Sequence, residues 1–247
     1  MRYAKSWDVA SKDLKVFLKK KNIIFAILTF PLFISILLGF VINFILPHMT
    51  GSGMEFSGLL NLLNAFTFYY VIVAAVLPTF IASYSFVGEK VEKSLEPLLA
   101  TPMTDEEILL GKGIAAFLPP IGATYLGASL YMVVTDILTH SLLGYNFFPN
   151  WDAGVILLVL TPLSAILSIE GNIIISSRVS DVRVSQQLGF LMVFPMACIY
   201  LASELKIILL DISTLLIISG VLLLIDLIGL YLTRVTFLRE EILTKWT

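Results

Sequence analysis

The sequence predicts an all-α, polytopic membrane protein, and three observations predict it. Hydrophobic residues make up 58% of the 247-residue chain against 14% charged, and the mean hydropathy of +0.94 is far above that of a soluble domain. The apolar residues fall into six runs, at 23–46, 65–87, 113–138, 155–175, 184–202 and 212–232, each near the roughly 20 residues that span ~30 Å of hydrocarbon as a helix. Of the sixteen basic residues, fifteen lie before the first run, between the second and third, between the fourth and fifth, or after the sixth. The remaining connections hold only Lys206. By the positive-inside rule this predicts six spans with both ends in the cytoplasm, in the cytoplasmic (inner) membrane of the cell.

Ahead of the first run, Trp7, Ala10, Leu14, Phe17 and Leu18 recur at helical spacing. Lys5, Asp8, Lys12, Asp13, Lys15 and Lys19 take the other faces. Residues 1–22 therefore read as an amphipathic interfacial helix lying on anionic lipid, or as a solvated leader helix. No short apolar region with a small-residue cleavage site is present, and Lys19, Lys20 and Lys21 precede the first run, which reads as a retained helix. Residues 23–247 form the transmembrane domain.

Proline occurs in five of the runs, as Pro31, Pro78, Pro119 with Pro120, Pro162 and Pro195. Each removes a backbone donor, so neighbouring helices must satisfy the freed carbonyls. Such kinks permit rearrangement, and proline is also simply common in membrane helices. The fifth run is short, opens on Ser185, Gln186 and Gln187, and is followed by Glu204, Lys206 and an apolar patch at 207–210. That patch is expected to form a short external helix dipping back toward the membrane.

The polar segment at 88–112 is the most patterned. Pro97 suits a first helical turn and Pro102 stops what begins there, leaving one short turn that exposes Leu95, Leu98 and Leu99. So little area cannot fold alone; it requires a partner, or rests on the ends of the membrane helices. Thr104 and Glu107 have capping-box spacing, and Asp105 and Glu106 place negative charge at a helix N-terminus. The third span therefore starts in the cytoplasm.

In Glu89, Leu95, Glu96, Leu98, Leu99, Thr101 and Pro102, and in Ile108, Gly111 and Lys112, this segment resembles the permease subunits of ABC-2 type transporters. It departs from them at Lys93-Ser94, where many members have Gly-Thr. The resemblance extends in architecture to the whole chain, including an N-terminal amphipathic helix, six spans, a broken external segment between spans five and six, and a basic tail here reading Phe237 to Thr244. It implies that the 88–112 loop is a coupling element docking into a separate ABC ATPase subunit. Leu95, Glu96, Pro97, Leu98 and Leu99 would be the main contacts and Glu89, Lys90, Glu92 and Lys93 a charged rim. ATP and magnesium would then sit on the partner. Six spans make half a pathway, so a second permease copy, identical or not, is implied, and the direction is export.

The residues themselves agree that this chain binds no nucleotide: Gly111-Lys112 lacks the upstream glycine and the Ser or Thr of a phosphate-binding loop. No cofactor is expected on this chain. The net charge of −2 argues against nucleic acid, and the lone Cys198 excludes an intrachain disulfide or a cysteine metal site. An intramembrane enzyme would need a nucleophile, base or metal constellation; the two histidines lie in external loops and no His-Glu-x-x-His occurs. A non-transporting scaffold would tolerate the same topology. Glu170 and Asp226 are ionisable residues that fall within spans. Such residues are costly in lipid, so each either lines a path or is structural, Glu170 by pairing with Arg178 or Arg183.

Overall fold

The computed structural model describes residues 2–51, 56–91 and 103–236, and every regular element among them is helical. Helix α1 runs Arg2–Lys19, α2 Lys21–Gly51 and α3 Phe56–Ser83. A π-helical turn, Tyr84–Gly88, extends α3 into a last turn at Glu89–Val91. Beyond the undescribed loop, α4 runs Asp105–Leu143 and α5 Trp151–Arg178, the latter with a π-helical turn at Ile156–Leu160. The chain closes with α6 at Val182–Gly189, α7 at Phe194–Glu204 and α8 at Ile212–Thr236. Among the described residues five helices are long and apolar enough to cross a bilayer, and a sixth if Val182–Met192 and Phe194–Glu204, bent by 40°, form one span.

Helix α3 is the axis of the bundle. In its most apolar window 78% of residues are buried, against 22% in α8. Large apolar side chains point away from the protein along α2, as at Phe25, Phe33, Phe40 and Phe44, and along α8, as at Ile217, Ile228 and Tyr231. Such an apolar exterior is stable against lipid rather than water. The packed interior forms one cluster near α1, with Phe17, Ile27, Ile81, Phe86 and Ile108, and another at the opposite end, with Ile42, Leu63, Tyr70, Tyr131 and Phe148.

The helices overrun the apolar runs. The 39 residues of α4 amount to about 58 Å at ~1.5 Å per residue, so its polar first turns stand outside any hydrocarbon layer. Hydropathy follows side chains, whereas a helix continues as long as its backbone ladder closes and is capped. Thr104 and Glu107 form the expected capping box: Glu107 N donates to Thr104 Oγ1 (3.3 Å) and Thr104 N to Glu107 Oε2 (2.9 Å). At the other end Gly144 adopts φ 75° and its N–H donates to His140 O, a left-handed cap that glycine reaches without steric cost.

The patch at 207–210 is not the expected short helix. Lys206 takes a left-handed φ of 57°; its N–H donates to Ser203 O, and that of Ile207 to Ala202 O. This is a Schellman stop. It turns the chain away from α7 before the patch, which runs as non-helical backbone to Asp211. The carboxylate of Asp211 then caps α8 by accepting from Thr214 N (3.2 Å). Ser213 and Thr214 hold that carboxyl well below its usual range, at about 2.

Two of the prolines sit beside interhelical hydrogen bonds. Pro162 follows the π turn in α5, and in that turn Leu157 O accepts from Tyr125 Oη of α4 (3.0 Å). Near Pro31, Ser35 Oγ lies 2.8 Å from Pro31 O, 2.6 Å from Gly127 O of α4 and 2.7 Å from Tyr70 Oη of α3. This polar node joins three helices where Gly127 permits contact: a Cβ there would come within 2.6 Å of Pro31 Cβ and 2.9 Å of Pro31 O. Gly127→Val is accordingly expected to cost about 1–3 kcal/mol by overpacking and to lower the melting temperature in detergent. Gly122→Ala, where a Cβ meets nothing within 4 Å, should leave it unchanged.

Candidate functional site

A buried ion network lies at the end of the bundle where α1, the last turns of α3 and the first turns of α4 meet. Its centre is Lys112, whose side chain is wholly buried. Its Nζ donates to Ser85 O (2.7 Å), Ser85 Oγ (3.2 Å) and Glu89 Oε2, and sits 3.5 Å from Asp13 Oδ2. Ser85 Oγ in turn donates to Asp13 Oδ2 (3.0 Å), and the Phe86 ring faces the ammonium with its centroid 5.4 Å away. Lys12 completes the group, 3.1 Å from Glu89 Oε1 and 3.7 Å from Asp13 Oδ1. Two carboxylates thus meet two ammonium groups. Partial burial works against the Lys12 charge, but Glu89 and then Asp13 more than offset it, and its pKa is raised.

Local backbone chemistry builds this arrangement. The π-helical turn places Ser85, Phe86 and Glu89 together on the Lys112 side, a frequent use of π turns at functional positions. Gly111 lets α1 come close, since a Cβ there would lie 2.6 Å from Ser6 O and 2.7 Å from Val9 Cβ. The face that α1 buries is therefore Ser6, Val9, Ala10, Asp13 and Phe17, while Trp7 and Leu18 stay exposed. Asp13, expected on a polar face, packs inward because α1 docks on α4 through a polar centre, while Trp7 and Leu18 stay on the protein surface.

Of the residues expected to dock a partner, Glu89 is in this network and Lys90 lies in the same last turn of α3. Glu92, Lys93, Leu95, Glu96, Pro97, Leu98 and Leu99 lie outside the described residues. The described residues stop at Val91 and resume at Met103; Glu89 lies two residues before that break, and its partner Lys112 lies seven residues into α4.

A second polar seam runs alongside, between α3, α5 and α6. Asn172 Nδ2 donates to Thr79 Oγ1 (3.2 Å) and Asn172 Oδ1 accepts from Ser83 (3.1 Å), while Thr79 and Ser168 hydroxyls pair at 2.8 Å and Ser83 and Ser185 at 3.1 Å. Gly189 makes room for it, as its Cβ would sit 2.6 Å from Asn172 Oδ1.

Glu170 and Asp226 face each other's helices, α5 and α8. Both are buried, at 3% and 4% exposure, and none of their four carboxylate oxygens has a hydrogen-bond partner. Glu170 does not pair with Arg178 or Arg183, contrary to the structural expectation; it sits against Gly229 of α8, where a Cβ would overlap its Oε2. Glu170 is also among the residues that line a cavity of about 340 Å³ between α4, α5 and α8, with both carboxylate oxygens closed off from solvent. At the cavity edge Arg234 lies 3.8 Å from Glu106, an exposed pair of the kind worth little energetically. Neither a known protein family nor a curated protein matches this chain.

Asp13 and Lys112 are the residues that pattern reading missed as a pair. The available signal was Lys112 itself, a lone charge inside Ile108-Leu109-Leu110-Gly111-Lys112-Gly113-Ile114; a charge in such surroundings requires a counter-charge. Nothing local identifies that counter-charge, which is 99 residues away. Lys112→Met, which keeps the stem and removes the charge, is expected to destabilise the protein by about 3 kcal/mol through the carboxylates left buried. Thermal unfolding in detergent checks the loss, and limited proteolysis should find α1 cleaved at Lys15 and Lys19 before the rest of the chain opens.

Proposed function

We propose that this chain is the membrane-spanning permease subunit of an ATP-driven ABC-2 type transporter, with six spans and both ends in the cytoplasm of a cell whose inner membrane it occupies. The observation that supports the reading best is the ion network linking the helices on either side of the loop. Glu89 at the end of α3 and Lys112 within α4 meet in one buried network that also grips α1. Movement of either helix is thereby passed to α1, α3 and α4 together. Conformational switching by a partner needs such a rigid connection to a bistable bundle.

Topology supports the same reading. Lys12, Lys112 and Arg234 gather at one end of the bundle through their ion pairs, where the positive-inside rule puts the cytoplasm. In this proposal Leu95, Glu96, Pro97, Leu98 and Leu99 enter a cleft of a separate ATPase subunit, Glu89, Lys90, Glu92 and Lys93 border it, and ATP with magnesium binds on that partner. Two permease copies, the same or different, form the pathway, and the broken α6–α7 pair supplies the element able to re-pack. The direction is export.

Co-purification with candidate ABC ATPase subunits tests the proposal. The chain should retain one of them and alter its ATP hydrolysis, and Leu98→Asp should weaken that association at least tenfold without lowering the melting temperature of the membrane domain. A non-transporting scaffold is indicated instead if no ATPase subunit is retained, or if Leu98→Asp leaves association and hydrolysis unchanged.

A further inference from the structure

The cavity between α4, α5 and α8 is a groove in the outer surface of the bundle. Leu109, Ile169 and Ile173 form its buried floor, and Leu110 and Leu230 stand exposed along its edges. Glu170 lines it as well, but both carboxylate oxygens are closed off and offer no charge to an occupant. The walls are therefore apolar. One end is charged: Glu106 in the first turn of α4 and Arg234 in the last turn of α8 lie 3.8 Å apart, each more than half exposed. That separation is too long for a hydrogen bond, so each group keeps its capacity to bind something else. The other end is Phe117, eleven residues further along α4, or about 16 Å at ~1.5 Å per residue. Half of a ~30 Å hydrocarbon core is of the same length. The groove thus starts in a polar pair and runs, apolar throughout, for the depth of one leaflet.

We infer that this groove binds one bilayer phospholipid with a primary-ammonium headgroup, a phosphatidylethanolamine, with an acyl chain laid from Leu109 to Phe117, its phosphate on Arg234 and its ammonium on Glu106. The surroundings supply the chain: in the most apolar window of α8 only 22% of residues are buried, so the groove opens toward hydrocarbon, and left empty it would forfeit the dispersion contacts of its walls. A helix is too large to lie in it. One about 10 Å across and 16 Å long takes up roughly 1,200 Å³, against about 340 Å³ here. The charged end selects the headgroup. A guanidinium fork matches phosphate oxygens, and the carboxylate beside it accepts from an ammonium that carries N–H donors. A quaternary ammonium has none to give, and an anionic headgroup would bring its charge against Glu106 with no cation to offset it. The inference does not rest on the transport reading, because binding requires neither ATP nor a partner subunit.

Native mass spectrometry of the delipidated full chain, titrated in detergent with phosphatidylethanolamine, phosphatidylcholine or phosphatidylglycerol of identical acyl chains, tests it. One phosphatidylethanolamine should bind saturably, at least tenfold more tightly than phosphatidylcholine and at least fivefold more tightly than phosphatidylglycerol. Arg234→Gln should weaken phosphatidylethanolamine and phosphatidylcholine alike, at least tenfold, since both carry the phosphate. Glu106→Gln should instead reduce the preference between those two to twofold or less. Gly113→Phe should abolish binding of all three, since Gly113 lines the groove and a Cβ there meets nothing within 4 Å, leaving the new ring room to fill the space. Melting temperature establishes that the variants are folded. The inference is overturned if the wild type binds no lipid saturably, or binds either of the other lipids as tightly as phosphatidylethanolamine. It is equally overturned if the folded Gly113→Phe chain still binds phosphatidylethanolamine, or if both headgroup variants keep the wild-type affinities. Should Gly113→Phe leave lipid binding intact while converting a dimer to a monomer in gel filtration, the groove belongs to a second copy of the chain. The comparison of the three lipids needs no variant.

Discussion

A lysine ammonium with no access to solvent, placed where three helices meet, constrains much of this structure. Desolvating such a group costs several kcal/mol unless its partners are close and correctly oriented. The chain meets that demand with Asp13 from α1, with Ser85 and Glu89 from the end of α3, and with a π-helical turn that brings the last two to the same side. Each partner is thereby fixed in turn. Helix α1 must dock closely enough for Asp13 to reach, which requires Gly111 to present no side chain. The end of α3 must pack beside α4 at Lys112. Docking of the N-terminal helix and the contact between α3 and α4 are consequences of one electrostatic requirement.

The rest of the bundle uses hydroxyl and amide groups in the same manner, at smaller cost. Ser35 and Tyr70 tie α2 and α3 to the backbone of α4, and Asn172 ties α5 to α3. In lipid, where apolar surface gives helices little reason to prefer one another, close approach at small residues and interhelical hydrogen bonds carry association. Gly127 and Gly189 each admit such a contact. Glu170 and Asp226 break the pattern, being buried without donors.

Much of this was legible in sequence, and what was not has physical causes. Apolar run length and the distribution of lysine and arginine located the long helices, and the Thr104 capping box announced the start of α4 seven residues before Gly111. Element ends were less legible: α2 and α3 extend into what hydropathy marks as a connection, because backbone hydrogen bonds do not require apolar side chains. The stop at Lys206 uses a left-handed residue that is not glycine, so no composition signal marked it and the patch at 207–210 was misread as helix. The Asp13 to Lys112 contact joins residues far apart in sequence, and periodicity assigned Asp13 to the outer face of α1. The burial of Glu170 against α8 depends on Gly229, whose importance is visible only once α5 and α8 lie side by side.

The central physical claim is that Asp13 and Lys112 stabilise the fold jointly, and a double-mutant cycle measures that term directly. Unfolding free energies of the wild type, Asp13→Asn, Lys112→Met and the double variant would be compared in one detergent. The account predicts that the double variant loses less stability than the two single losses together, with a coupling of about 1 kcal/mol or more. Additive losses, within about 0.3–0.5 kcal/mol, would mean that the two residues act independently, and would contradict it.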